Sequence, residues 1–295
     1  MNHRTITDLP TELLHTILSQ VNRRYTLHPS SLTCKRLRDV SLEFIFKDIL
    51  KVQGITTLEH LLRFLEANPR ALKRIQNLTL SATYKFDPDS EQNLLEVPLD
   101  AALVARIVGC LPNLKTVKLN NFLYLPPMSD SVHRRNDSSR PRELRSLSIR
   151  GTWTSQCSIS GLFQVLSLFS AQELEVDTQC FRTPDSVSFN IRSLDVLRSL
   201  APERLHIDAH NRSGPEYSPQ TQLLAALTKS LRLDVLRDLR VSVDSSTAAR
   251  ALGELLLRAG GSITALTLNR GASSWQSERD GWIDPLRGTS LFDVL

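Results

Sequence analysis

The residues best placed to do chemistry are His206-Ile207-Asp208-Ala209-His210. On a strand, positions i, i+2 and i+4 share a face, so two imidazoles and a carboxylate would converge there as a zinc donor set. A single strand encloses a metal poorly, no second ligand cluster accompanies it, and residues 208–215 read as a loop. No metal is assigned. A metal-dependent hydrolase built on His206, Asp208 and His210 stands as an alternative to surface histidines beside an aspartate. Other catalytic patterns are missing: there is no G-x-S-x-G, Walker loop, G-x-G-x-x-G or H-E-x-x-H. With no catalytic residue and no cofactor indicated, the chain reads as a binding protein rather than an enzyme.

The second chemical feature is a set of charges at alternating positions. Glu173, Glu175 and Asp177 follow one another at i, i+2, i+4 and predict a local negative field for a basic segment of a partner. Lys118, Arg150, Arg204, His206, Asp208, Asp238 and Arg240 occupy equivalent positions elsewhere and complete a candidate target-binding surface.

The elements that must hold these charges are repeats. An L-x-x-L-x-L segment, Leu78 being its fourth position, returns with Val117, Leu147, Leu174, Leu205, Leu239 and Leu266 at that place. The gaps run from 27 to 39 residues. Apolar-periodic helices precede most copies, at 99–111, 159–170, 191–200, 220–233 and 247–258. A unit of helix and strand cannot bury its own apolar face, so such units stack in parallel. A doubly wound sheet also alternates helix and strand, but its strands are apolar on both faces. Here Leu-Thr-Leu and Leu-Ser-Ile alternate, which leaves one face open. This repetition resembles the leucine-rich-repeat family in an irregular form. Residues 124–141 are rich in Pro, Ser and Arg and read as an exposed loop. Ser290 to Leu295 reads as the start of a further repeat helix, which is either a short improvised cap or the cut end of a longer solenoid.

Ahead of the repeats, residues 7–49 form a helical unit too small for a large core of its own. Leu9, Leu13, Leu14, Ile17, Leu18 and Val21 share one broad helix face, with Pro10 suited to the first helical position. A second helix carries Leu37, Val40, Phe44 and Ile45, and His28-Pro29 marks an elbow between the two. The opening Leu9-Pro10-Thr11-Glu12-Leu13-Leu14, then Ile17-Leu18, then Cys34-Lys35-Arg36-Leu37 resembles an F-box. Leu37 stands where that family usually has an aromatic residue, and Thr33 where it often has Val.

The two resemblances imply an α/β chain: an F-box-like helical unit over 1–50, then an irregular leucine-rich-repeat solenoid with a parallel concave sheet over 51–295. They also imply a substrate adaptor of an SCF-type ubiquitin ligase. Leu9, Pro10, Leu13, Leu14, Ile17, Leu18, Cys34 and Leu37 would meet a Skp-type linker, and through it a cullin–RING complex. The solenoid would hold an unknown target protein. A repeat-based binding module with no ligase role, its N-terminal helices serving only as a cap, is the other reading. On the adaptor reading the apolar residues divide: Leu9 to Leu18 face the linker, while Phe44, Ile45 and Ile49 cover the first repeat.

Composition agrees with this class. Of 295 residues, 41% are hydrophobic, 23% charged and 6% aromatic, as in ordinary globular chains with leucine-packed cores. The four cysteines form no C-x-x-C pair, the N-terminus lacks a signal-peptide run and no stretch of eighteen apolar residues occurs. A reducing compartment, cytoplasm or nucleus, is expected, and no membrane. The net charge of +5 is spread widely. The densest basic group is His133-Arg134-Arg135, with Arg140 and Arg142 nearby and few aromatics, so no nucleic-acid partner is expected.

Overall fold

The computed structural model describes residues 6, 9–21, 24–46, 49–55, 58–82, 84–87, 92–95, 97–125, 140–153, 158–180, 200–211, 219–230, 232–243 and 246–270. The expected helix at 191–200 apart from Leu200, all of the expected 124–141 loop but its two end residues on each side, and the C-terminal segment lie outside these residues.

The chain opens with three helices: α1 (Thr11–Ser19), α2 (Arg24–Thr33) and α3 (Lys35–Ile45). Strand β1 (Ile49–Ile55) follows, then α4 (Leu58–Ala67), the short α5 (Pro69–Leu72), β2 (Asn77–Ala82), β3 (Tyr84–Asp87), β4 (Gln92–Leu95) and β5 (Pro98–Leu99). After these come α6 (Ala101–Gly109), β6 (Thr116–Asn120), β7 (Leu123–Tyr124), β8 (Arg142–Trp153), α7 (Ile159–Leu166) and β9 (Phe169–Cys180). The last elements are β10 (Arg204–Asn211), α8 (Pro219–Ser230), β11 (Asp238–Val243), α9 (Ser246–Ala259) and β12 (Ala265–Arg270).

One eight-stranded sheet dominates. Its order is β1-β2-β6-β8-β9-β10-β11-β12, and every pairing within it is parallel. The strands stand side by side in chain order, without the reversal that a doubly wound sheet requires. Leu50, Leu78, Val117, Leu147, Leu174, Leu205, Leu239 and Leu266 fall in a single register row. Seven of these are the residues that align the repeated segments in the sequence. The eighth belongs to β1, whose short Ile-Leu-Lys-Val alternation carries no L-x-x-L-x-L segment.

Helices cover the apolar face of this sheet. Leu58, Leu62 and Leu65 of α4, Val104 and Ile107 of α6, Leu162, Phe163 and Val165 of α7, Leu224 and Leu227 of α8, and Leu252 and Leu255 of α9 enter one continuous core with the strand leucines. Caps set where α6 and α7 begin. Asp100 accepts from the Leu103 amide at 2.7 Å, and Ser158 from the Gly161 amide at 3.2 Å. At the far edge, Leu266 and Leu268 of β12 remain 43% and 37% exposed.

Several expectations change. Pro29 marks no elbow; it lies inside α2, at the sixth of ten residues, where its missing N–H removes a single helical hydrogen bond. The break falls at Cys34, whose extended backbone (φ −152°, ψ 161°) caps α3 and whose sulfur accepts from the Leu37 amide at 3.5 Å. Strand β10 continues through residues read as loop, because Asp208, Ala209, His210 and Asn211 pair with Asp177 to Cys180 of β9. The division at residue 50 cuts through β1.

The two modules also meet differently. Phe44 and Ile45 pack into the helical unit's own core, with Leu14, Leu18, Leu27, Leu37, Val40 and Leu42. Ile49 is 41% exposed, because in β1 it points to the open side of the sheet while Leu50 turns inward. Phe46 is the residue that packs against both cores, its ring edge-on to Phe64 at 5.6 Å. Glu43 adds an ion pair to Arg74 at 3.0 Å. Phe46→Ala should therefore lower stability by about 2 kcal/mol, less than a fully buried Phe because this ring is half-buried; urea denaturation measures it.

Candidate functional site

Two surfaces carry the residues singled out in the sequence. The first is α1. Pro10 is its N-cap rather than its first residue, and the Leu14 amide makes the first helical bond to the Pro10 carbonyl at 3.1 Å. The apolar residues of α1 form two stripes, and three short helices can cover only one. Leu14 and Leu18 turn inward at 1% and 7% exposure, with Leu37 beneath them. Leu13 and Ile17, one turn apart, face outward at 49% and 42%. Leu9 and Cys34 are half-buried, and Pro10 is exposed. The eight residues expected to form one partner face thus split: Leu13, Ile17 and Pro10 are presented, whereas Leu14, Leu18 and Leu37 support them from below. Leu32 of α2, 85% exposed, is a further outward leucine that no periodicity singled out. On the side facing the sheet module, a cleft of about 520 Å³ is lined by His15, Arg36, Arg38, Glu43 and Pro69, among others.

The second surface is the open face of the sheet. All ten charged residues expected there are on it, aligned by register. One row reads Lys51, Thr79, Lys118, Ser148, Glu175, His206, Arg240, Thr267. The next, towards the strands' C-terminal ends, reads Gln53, Ser81, Asn120, Arg150, Asp177, Asp208. The row before reads Ser146, Glu173, Arg204, Asp238, Ala265.

This alignment overturns the expected negative field. Arg150 donates to Glu175 at 2.6 Å, Arg204 donates to Glu173, and His206 Nδ1 lies 3.8 Å from Glu175. Arg240 lies 3.5 Å from Asp238 on its own strand. The acidic trio on β9 is flanked by cations on both neighbouring strands. Aligning the repeated segments would have placed these charges together; reading β9 alone does not. Lys51 was also missed, since β1 carries no repeat motif.

Glu175 sits at the centre of this arrangement. Burial alone would raise its carboxyl, but the neighbouring Ser148 hydroxyl and the hydrogen bond from Arg150, with the charges of Arg150 and His206, outweigh it and hold the group below its usual range. The same hydrogen bond, acting against burial, keeps the Arg150 guanidinium more firmly protonated. A carboxylate with a depressed folded pKa contributes stability that is present above its unfolded value, about 4.3, and is lost as pH falls through the folded value. Between those two values wild type should lose more stability than Glu175→Gln. Denaturation at neutral pH and at a series of acidic pH values measures the difference.

His206 and Asp208 share the open face, as strand geometry requires. The His210 side chain lies outside the described residues. No group of three or more metal-ligating side chains occurs among the described residues, and no described helix is long and apolar enough to cross a membrane.

Residues 6–50 match the family model for F-box-like domains. The match covers α1, α2 and α3, so the chain carries an F-box-like helical domain ahead of a parallel sheet. No curated protein matches the chain significantly.

Proposed function

We propose that this chain is a substrate-recognition adaptor of an SCF-type ubiquitin ligase, working in the cytoplasm or nucleus. The observation that carries this reading is the pair Leu13 and Ile17: exposed, apolar and one turn apart on the first helix of a domain that matches the F-box-like family. Two neighbouring outward apolar side chains offer a contact that burial against a partner would favour. The partner is a Skp-type linker, and through it a cullin–RING complex. Behind this domain, the sequential parallel sheet with helices on one face is read as an irregular leucine-rich-repeat solenoid whose open face holds a target protein. The adaptor itself makes and breaks no bond and needs no cofactor. It raises the effective concentration of target lysines near the ubiquitin-charged enzyme.

The packing of Phe46 and the Glu43–Arg74 ion pair support a second reading, in which the helical unit simply caps the first strand and docks nothing. Gel filtration and calorimetry of the purified chain with a Skp-type linker separate the two. A one-to-one complex is expected, and no complex would leave the capping reading.

A further inference from the structure

The charges on the open face differ in height as well as sign. Glu173, Glu175, Asp177, Asp208 and Asp238 are all half-buried, whereas Lys51, Lys118, Arg150, Arg204 and Arg240 are all exposed. Within each ion pair the guanidinium stands above its carboxylate. Side-chain exposure is 51% for Arg150 against 25% for Glu175, 57% for Arg204 against 32% for Glu173, and 58% for Arg240 against 23% for Asp238. The cause is stem length: the shorter Asp and Glu side chains stay close to the strands while the longer Arg and Lys reach past them. A guanidinium carries five N–H donors, so one bound to a carboxylate below still has donors to offer outward. Lys51 and Lys118 share a register row and have no ion pair among the described residues. A partner approaching this face meets cations first, while the face as a whole stays close to neutral.

We propose that the open face binds an acidic segment of a partner protein, gripped by Arg150, Arg204 and Arg240, with Lys51 and Lys118 extending the track toward β1. The recessed carboxylates hold the arginines upright and pre-order them. From β1 to β11 the track crosses six strand spacings, about 29 Å, which suits an extended segment of about nine residues. The repeated open-face positions carry no Phe, Tyr or Trp on which bases would stack, which favours peptide over nucleic acid. This inference names the target chemistry within the adaptor reading and rests on it for biological purpose, though not for the binding itself.

The test uses the full chain and a fluorescein-labelled nonapeptide of alternating glutamate and glycine, with glutamine and lysine counterparts and a single-stranded oligonucleotide. Anisotropy should show the acidic peptide binding best, and more weakly as salt rises. The double variant Lys51→Glu, Lys118→Glu removes no described ion pair, so its melting temperature should be unchanged while acidic-peptide affinity falls about tenfold or more. Arg150→Gln with Arg240→Gln should weaken binding further. No binding by wild type, equal or tighter binding of the lysine peptide or the oligonucleotide, or unchanged affinity in the lysine variant would each overturn the inference. Linker binding is scored separately. Peptide binding without linker binding upholds this inference and removes the ligase role; linker binding without peptide binding overturns this inference alone.

Discussion

Replacing Leu13 and Ile17 together by aspartate should abolish binding of the Skp-type linker while the chain remains folded. Both side chains are presented by α1, at 49% and 42% exposure, and neither belongs to the buried core of the helical unit. Charges at these positions stay in water in the free chain, so stability should change little. In a complex the same carboxylates would be buried without partners. Two central apolar anchors at about 2 kcal/mol each correspond to about a thousandfold in affinity. The control is one position away. Leu14→Ala opens a cavity at a residue only 1% exposed and should cost about 3 kcal/mol of stability, so any loss of linker binding follows unfolding. Calorimetry with the linker, beside urea denaturation of each variant, separates docking from support. Linker affinity unchanged in the double aspartate variant would sink the adaptor reading.

The second large effect is expected far from both surfaces. Gly161 lies in the first turn of α7, against the chain that follows β7. A Cβ built there would come within 2.8 Å of the Leu125 carbonyl carbon, and closer still to its oxygen. The obstacle is backbone rather than a flexible side chain, and it is held in place. The Leu125 amide donates to the Leu99 carbonyl at 3.4 Å, and the Ser158 amide to the Tyr124 carbonyl at 2.8 Å. Relief would require moving α7, whose Phe163, Val165 and Leu166 are completely buried. Gly161→Ala should therefore destabilise the chain by about 3 kcal/mol, although alanine favours helices intrinsically. Urea denaturation gives the value, and a loss under about 0.5 kcal/mol would mean that this segment yields easily. Nothing in the sequence distinguishes this glycine from any other near a helix start. Its necessity arises from a contact across 36 positions.

Much of the sheet was nonetheless legible. The alternation in Leu78-Thr79-Leu80, Val117-Lys118-Leu119 and their counterparts places one residue type on each side of a strand, and the aligned segments became one register row. Strand ends were less legible. β8 and β9 each run to 12 residues, well beyond their motifs, because each strand offers its neighbour a hydrogen-bonding edge that prolongs it. β1 escaped notice for a related reason: it forms by pairing with β2, at the point where the helical unit delivers the chain.

By itself, the sequence determined the Leu-Pro opening with its F-box-like pattern, most of the alternation of helix and strand along the repeats, and which repeat-strand residues turn toward helices. These are local properties, set by periodicity within a few residues. Tertiary structure alone decided which apolar stripe of α1 is covered, since that depends on where α2 and α3 pack. It also decided the character of the charged face. Glu173, Glu175 and Asp177 form an acidic run along the chain, but in space Arg150 and Arg204 reach over from adjoining strands and stand above the carboxylates. Charge along a strand belongs to the sequence; the charge that a partner meets depends on neighbours 25 to 31 residues away and on the height of each side chain above the sheet.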